Sequence, residues 1–256
     1  MTALITGASA GIGREFCNVL AAEGHDLVLV ARDAERLTAT KAEIESNFPG
    51  RHCEVLVADL SIPQDIDRVT VRLSSSDKPI SVLVNNAGFG LNQSFVDGEI
   101  EREQYMLDVL VASVMRLSHA AANAMKNGSG GDIVIISSVA SFIAGSTYNA
   151  AKSWTTLFAE SLSEELRGSG IRVSALCPGF THTEFHQRAG INKNAIPSWM
   201  WLSAEFVVRA GWRDHKAGKA VSIPSVRYKF LVALIRLFPR SAARKTYLRA
   251  RNRPKH

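Results

Sequence analysis

Tyr148 and Lys152 stand four residues apart in Tyr148-Asn149-Ala150-Ala151-Lys152. In a helix that spacing is one turn, so a phenol and an ammonium share a face. A free phenol ionises near pH 10, too high to exchange its proton readily at neutral pH. A neighbouring positive charge favours the phenolate and lowers that value, which makes the tyrosine a usable general acid and base. Ser138, ten residues before Tyr148, follows the apolar run Ile133–Ile136 and adds a hydroxyl able to orient a substrate oxygen. Taken by themselves, Tyr148 and Lys152 also fit an ordinary exposed pair on a helix, so the rest of the chain must decide.

A second group of residues opens the chain. Thr6-Gly7-Ala8-Ser9-Ala10-Gly11-Ile12-Gly13 follows the apolar run Ala3–Ile5 and begins a helical pattern. Gly7 suits a sharp turn, Gly11 lets backbone approach a pyrophosphate, and Gly13 permits close helix–sheet contact. The helix N-terminus offers free N–H groups and the positive end of its dipole. The next apolar run ends in Ala31-Arg32-Asp33. A carboxylate at such a tip holds a ribose 2′-hydroxyl; here Ala31 leaves room, and the Arg32 guanidinium suits a 2′-phosphate. This favours NADP, with NAD as the alternative if Asp33 accepts the ribose hydroxyl instead.

Stepping along the chain, short apolar runs at Ala3–Ile5, Leu27–Val30, Glu54–Val57, Val82–Val84, Ile133–Ile136, Arg172–Leu176 and Ala220–Ile223 predict strands. Amphipathic stretches at Gly11–Glu23, Ala34–Asn47, Pro63–Leu73, Glu101–Lys126, Ser146–Arg167 and Ser203–Lys216 predict helices between them. Strands apolar on both faces and alternating with helices predict an α/β fold: one doubly wound parallel seven-stranded sheet with helices on both faces. Residues 1–226 read as one dinucleotide-binding and catalytic domain and residues 227–256 as a basic C-terminal helix and tail. Pro178–Leu202 lacks a clear period and is expected to be a functional loop.

With these elements in order, the chain resembles the short-chain dehydrogenase/reductase family, which has a Rossmann fold, over nearly its full length. The resemblance rests on Thr6-Gly7-x-x-x-Gly11-x-Gly13, Asp59-Leu60, Asn85-Asn86-Ala87-Gly88, Ser138, Tyr148-x-x-x-Lys152 and Pro178-Gly179-Phe180-Thr181-His182-Thr183. It implies hydride transfer between NADP(H) and a carbonyl or secondary alcohol, with Ser138, Tyr148 and Lys152 catalytic. Negative charge grows on the ketone oxygen in such a reaction, and Tyr148 would supply the proton. The resemblance also implies a cofactor cleft lined by Gly7, Ser9, Gly11, Ile12, Gly13 and Arg32 on one side. Asp59 would meet the adenine beside Leu60, and Asn86 would border the adenine ribose beside Ala87 and Gly88. Lys152 would hold the nicotinamide ribose, next to Tyr148. Thr183 would bond the carboxamide, with Pro178, Gly179 and Thr181 beside it. A homodimer or homotetramer through the helices around Glu101–Lys126 and Ser146–Arg167 is implied as well.

One position departs from the pattern. Leu107-Asp108-Val109-Leu110-Val111-Ala112 carries Leu110 where the family has an Asn that holds a water linking the lysine to bulk solvent. Leucine has neither donor nor acceptor. The alternative to an enzyme is therefore an NADP-binding protein without turnover, unless Ser113, nearly one turn on, compensates.

The expected substrate is lipophilic, because Phe89, Phe142, Phe180, Phe185, Ile191, Ile196, Trp199, Met200 and Trp201 fall in loops near the reacting end. His182, Glu184 and His186 have no evident third partner for a metal, and none is expected. Cys17, Cys53 and Cys177 are scattered and suggest no disulfide framework; Cys177 reads as a small buried residue.

The 256 residues are 46% hydrophobic and 21% charged, too apolar for a disordered chain. The net charge of +6 is unevenly spread: Arg227 to His256 holds ten basic residues and no acid, so the remainder is net −4. Tyr228–Phe238, apolar except for Lys229 and Arg236, would make a helix about 16 Å long, too short to span a bilayer. With Arg240, Arg244, Lys245, Arg249, Arg251, Arg253 and Lys255 beyond it, it resembles an interfacial anchor for anionic lipid; a helix packed on the body or a subunit contact are the alternatives. Nucleic acid is not expected, since the tail lacks interleaved aromatics. Without a leader-like start or a membrane span the chain reads as cytoplasmic, with peripheral contact at the inner membrane face as a further expectation.

Overall fold

Aliphatic and β-branched runs that cannot be covered on one face alone become the middle of a three-layer molecule. The computed structural model describes residues 1–190 and 196–237, without the side chains of His186 and Arg188. Its strands are β1 (Thr2–Thr6), β2 (Asp26–Ala31), β3 (Cys53–Val57), β4 (Ile80–Asn85), β5 (Gly131–Ile136), β6 (Ile171–Leu176) and β7 (Val221–Ser222). They form one sheet in the order β3-β2-β1-β4-β5-β6-β7, and every neighbouring pair is parallel. All seven expected strands are present, most of them one or two residues longer than their apolar cores.

The helices are α1 (Gly11–Ala22), α2 (Ala34–Asn47), α3 (Pro63–Leu73), α4 (Ile100–Leu107), α5 (Ser113–Lys126), α6 (Thr147–Glu165), α7 (Phe185–Arg188), α8 (Ala204–Lys216) and α9 (Val226–Leu237). Two apolar layers follow from the alternation of side chains along the strands. Ile5, Leu27, Leu29 and Val84 meet Phe16, Leu20 and Trp212 on one face. Leu4, Val28, Leu83 and Ile135 meet Val69, Leu117 and Ala121 on the other.

The sheet order reverses between β1 and β4, and the carboxyl ends of the strands open a crevice there, where an open α/β sheet binds its ligand. The helix expected over Glu101–Lys126 is not uniform. α4 and α5 are joined by a π-helical segment, Asp108–Ala112, whose wider turn carries Leu110 inward. α9 begins the C-terminal stretch and packs on the body, with Tyr228 and Val232 buried. Phe238, Pro239 and the seven basic residues from Arg240 to Lys255 lie outside the described residues, as does Ile191. Among the described residues no helix is long and apolar enough to cross a membrane.

Candidate active site

Thr6 ends β1, and its hydroxyl accepts from the backbone N–H groups of both Asn86 and Ala87, each at 2.9 Å. The Asn86 amide in turn donates to the carbonyls of Thr6 (2.8 Å) and Gly7 (3.2 Å). The turn after β1 and the turn after β4 are thus sewn together across the point where strand order reverses. Gly7 has φ +65° and Gly11 φ +54°, which other L-residues rarely adopt. A Cβ on Gly13 would lie 2.3 Å from the Gly7 carbonyl oxygen and 2.4 Å from Asn86 Nδ2. Ala10 precedes α1 with no polar side chain, and its first turn, Gly11-Ile12-Gly13-Arg14, holds no acid. The free N–H groups are left for an anion, so the residues present fit a dinucleotide pyrophosphate.

Charge collects at the tip of β2. Arg32 donates to the Tyr105 hydroxyl and sits 3.6 Å from the Asp59 carboxylate. Asp59 also accepts from Tyr105 at 3.2 Å and from the Ser61 hydroxyl at 2.8 Å, and Leu60 beside it is buried. Arg36, in the first turn of α2, reaches the Ser9 carbonyl at 3.3 Å and grips both oxygens of Glu184 at 2.8 and 3.0 Å. Asp33 is engaged locally, capping α2 through the Arg36 N–H at 3.0 Å.

At the other end of the crevice a capping box sets the start of α6: Ser146 and Asn149 bond reciprocally, and the Asn149 amide donates to the Ala140 and Ile143 carbonyls. This fixes the first turn of α6, and with it Tyr148 and Lys152, against the segment that follows Ser138. Lys152 is buried, its Nζ donates to the Ile136 carbonyl at 2.7 Å, and it lies 5.9 Å from the Tyr148 ring centroid. Burial pulls the Lys152 ammonium down to about 8. It pushes the Tyr148 phenol well above its ordinary value, and a hydrogen bond with Ser138 offsets part of that rise. Ser137 turns the other way, into the core, bonding the Lys152 carbonyl at 2.9 Å and Thr156 at 2.7 Å.

A model of the short chain dehydrogenase family matches residues 1–194. The chain belongs to this family. The dehydrogenase is 37% identical over 188 residues to the oxidoreductase YmfI of Bacillus subtilis, covering 71% of this chain and 75% of the relative. It is 31% identical over 198 residues to 3-oxoacyl-[acyl-carrier-protein] reductase FabG of Escherichia coli, covering 74% and 79%. Among solved structures, a short-chain dehydrogenase from Sphingobium yanoikuyae in complex with NADPH aligns with a TM-score of 0.84, 34% identity and coverage of 100% and 97%. The bulky-bulky ketone specific alcohol dehydrogenase from Comamonas testosteroni aligns with a TM-score of 0.79, 29% identity and coverage of 100% and 96%. The chain is an oxidoreductase of the nicotinamide-dependent kind.

Placed residue by residue, Ser138, Tyr148 and Lys152 converge. Thr183 packs its methyl against Gly11, 3.0 Å from where a Cβ would stand. Val139 N–H donates to the Pro178 carbonyl at 2.9 Å, tying the segment after Ser138 to the loop after β6. The Thr181 hydroxyl donates to the Gly179 carbonyl. Gly179 lies against the Tyr228 ring, at 2.1 Å from an added Cβ, and Tyr228 also bonds the Phe180 N–H and the Met200 carbonyl. Leu110 is fully buried and packs with Met106, Ala151, Phe89 and Tyr148. A Cβ on Gly88 would lie 2.7 Å from Leu110 and 3.9 Å from Lys152 Nζ, so the leucine and the ammonium flank one spot. Ser113 does not stand in for the missing amide: its hydroxyl donates to the Val109 carbonyl at 2.8 Å.

The apolar loops do not form one cluster. Phe185 faces Tyr148, with ring centroids 5.7 Å apart, whereas Phe180 and Met200 join one core layer and Phe142 the other. Phe89 packs on Tyr105 and Trp201 stacks on His182; Ile196 is half-buried and Trp199 exposed. Cys177 is fully buried, its thiol pushed upward by burial. Arg36 and Tyr105 carried no signal recognised in the sequence; Arg32 precedes the Asp33 cap of α2, so no helical spacing links it to Arg36. Glu184, weighed there only as a metal ligand, is the partner of Arg36.

Proposed function

We propose that this dehydrogenase transfers a hydride between NADP(H) and a lipophilic ketone or secondary alcohol, with Tyr148 as general acid and base. NADPH, when bound, supplies the hydride. Tyr148 gives the proton to the growing alkoxide, Ser138 orients that oxygen, and Lys152 holds the nicotinamide ribose and keeps positive charge behind the phenol. Thr183, beside the glycine turn, bonds the carboxamide. The observation that carries this reading is the alignment, in one crevice, of the Gly7–Gly13 cradle with the Ser138–Tyr148–Lys152 group. Arg32 and Arg36 at the β2 tip support NADP over NAD, and the NADPH named with the Sphingobium structure agrees. Phe185 against Tyr148 supports an apolar substrate, as does the bulky-bulky ketone named with the Comamonas enzyme.

A second reading rests on Leu110. Its methyl groups and the Lys152 ammonium flank one spot at Gly88, so no amide holds a water there and proton supply to Tyr148 is reduced to the crevice side. A cofactor-binding protein without turnover is the outcome if that supply fails. NADPH oxidation across a panel of bulky ketones, with wild type and Leu110→Asn in parallel, separates the two. Wild-type turnover accelerated by Leu110→Asn upholds the enzyme with a slowed proton step. NADPH binding without oxidation by either form overturns it. Exposed Leu107, Met115 and Leu157 on α4, α5 and α6 further support a homo-oligomer through those helices, which sedimentation velocity measures directly.

A further inference from the structure

α9 is apolar on two opposite sides. Tyr228 and Val232 turn inward and are buried, with Ile235 half-buried beside them. Val226, Phe230, Leu234 and Leu237 occupy an outward arc of about 80°, and all four are exposed, Phe230 at 67% and Leu237 at 80%. Arg227 lies on one flank of this stripe and Lys229 on the other, with Arg236 beside Lys229 and its guanidinium 4.8 Å from the Phe142 ring centroid. The inner face explains how the helix is held. It leaves unexplained why four large apolar groups point into water.

Charge narrows what covers them. No acid follows Asp214 in the sequence, and residues 216–256 contain twelve lysines and arginines. The covering surface must be apolar along its middle and anionic around it. A second α9 fails this condition, because its own cations would face these. A lipid surface with anionic headgroups meets it: the stripe enters the headgroup–acyl boundary and the flanking cations meet phosphates. We infer that α9 docks this protein in the plane of an anionic membrane, with the Val226–Phe230–Leu234–Leu237 stripe facing the lipid.

The position of the stripe gives docking a consequence for the crevice. Arg227 holds the Trp199 carbonyl, and Tyr228 holds both Phe180 and Met200 in the loop after β6. Trp199 is exposed beside the helix, so the same docking lays this loop against the headgroups.

The test uses the full chain and vesicles of phosphatidylcholine, with or without one-third phosphatidylglycerol, sedimented at low and high salt. Binding is expected only to the anionic vesicles, weakened by salt. Lys229→Gln with Arg236→Gln should weaken it about fivefold per charge removed. Phe230→Glu with Leu234→Glu should abolish it while circular dichroism and NADPH binding stay as in wild type; Leu234→Ser is the milder variant if the double one melts early. Binding that survives these apolar-to-polar changes, or binding to neither vesicle, overturns the inference. So does a wild-type dimer that ignores vesicles and becomes a monomer on Phe230→Glu. Vesicle binding is read without turnover, so its failure is distinct from failure of the reductase reading.

Discussion

At the glycine end of the crevice the fixing contacts are backbone groups and neutral amides; at the tyrosine end they are side chains enclosed by apolar neighbours. Thr6, Asn86 and the Gly7 carbonyl hold one another whatever the pH, because none of them titrates. Tyr148 and Lys152 owe their properties to burial, which moves the phenol up and the ammonium down. The first arrangement provides a rigid cradle for phosphate. The second is adjustable: any charge or water brought near it changes the chemistry. Leu110 matters for that reason, since a leucine in the glycine turn would have been a packing error, whereas beside Lys152 it is an electrostatic setting.

The contrast is sharpest for Tyr148→Phe. Removing the hydroxyl should cut NADPH-dependent ketone reduction by about 10²–10⁴-fold and leave NADPH affinity, followed by fluorescence titration, within about twofold. A large loss of affinity would mean that the two ends are not separable. Gly13→Ala should do the reverse. Its Cβ meets the Gly7 carbonyl and the Asn86 amide, so overpacking is expected to cost about 1–3 kcal/mol in denaturant unfolding and to weaken NADPH binding.

The pH dependence belongs to the tyrosine end alone. Lys152 is charged below about 8 and neutral above it. If the ammonium is needed, kcat/KM for reduction should fall about tenfold per pH unit above that value. Lys152→Arg should flatten that limb. The stability contribution runs the other way. The folded-state value lies below the ordinary lysine value, so between the two the unfolded chain binds the extra proton and Lys152 favours folding more as pH rises. NADPH affinity over the same range should fall only modestly, through the Lys152 contact with the nicotinamide ribose, because the phosphate cradle at the glycine end does not titrate there.

The smallest expected effect tests a charged tie between the cradle and the loop after β6. Both partners of the Arg36–Glu184 pair are substantially exposed, so the pair is worth no more than about 1 kcal/mol. Glu184→Gln frees Arg36 for a 2′-phosphate and should tighten NADPH two- to fivefold, as about 1 kcal/mol allows, with NADH unchanged. An equal gain for both cofactors in calorimetric titration would place Arg36 away from the 2′-phosphate.

The strands, six long helices and the convergence of Ser138, Tyr148 and Lys152 were legible because each rests on short-range information: apolar periodicity, glycine at turns and a four-residue step. Arg32 illustrates the limit. The sequence placed it at the tip of β2, but its Tyr105 and Asp59 partners come from 73 and 27 residues away and only packing brings them there. Asn86, expected to border the adenine ribose, also commits its amide to the glycine turn, a partnership that spacing along the chain does not reveal. The single long helix over Glu101–Lys126 looked regular because hydrophobic spacing does not distinguish one π-turn from a slightly drifting α-helix.

By itself the sequence determined the alternating α/β order, the family, the one-turn spacing of Tyr148 and Lys152 and the presence of Leu110. Those depend on residue type and on distances along the chain. The tertiary structure alone decided that Leu110 and the Lys152 ammonium flank one spot at Gly88, that Arg36 is shared between Ser9 and Glu184, and that α9 is held by Tyr228 under Gly179 with its other side exposed. Each of these joins residues far apart in the chain, and which partner wins is settled by burial and packing, not by any local preference.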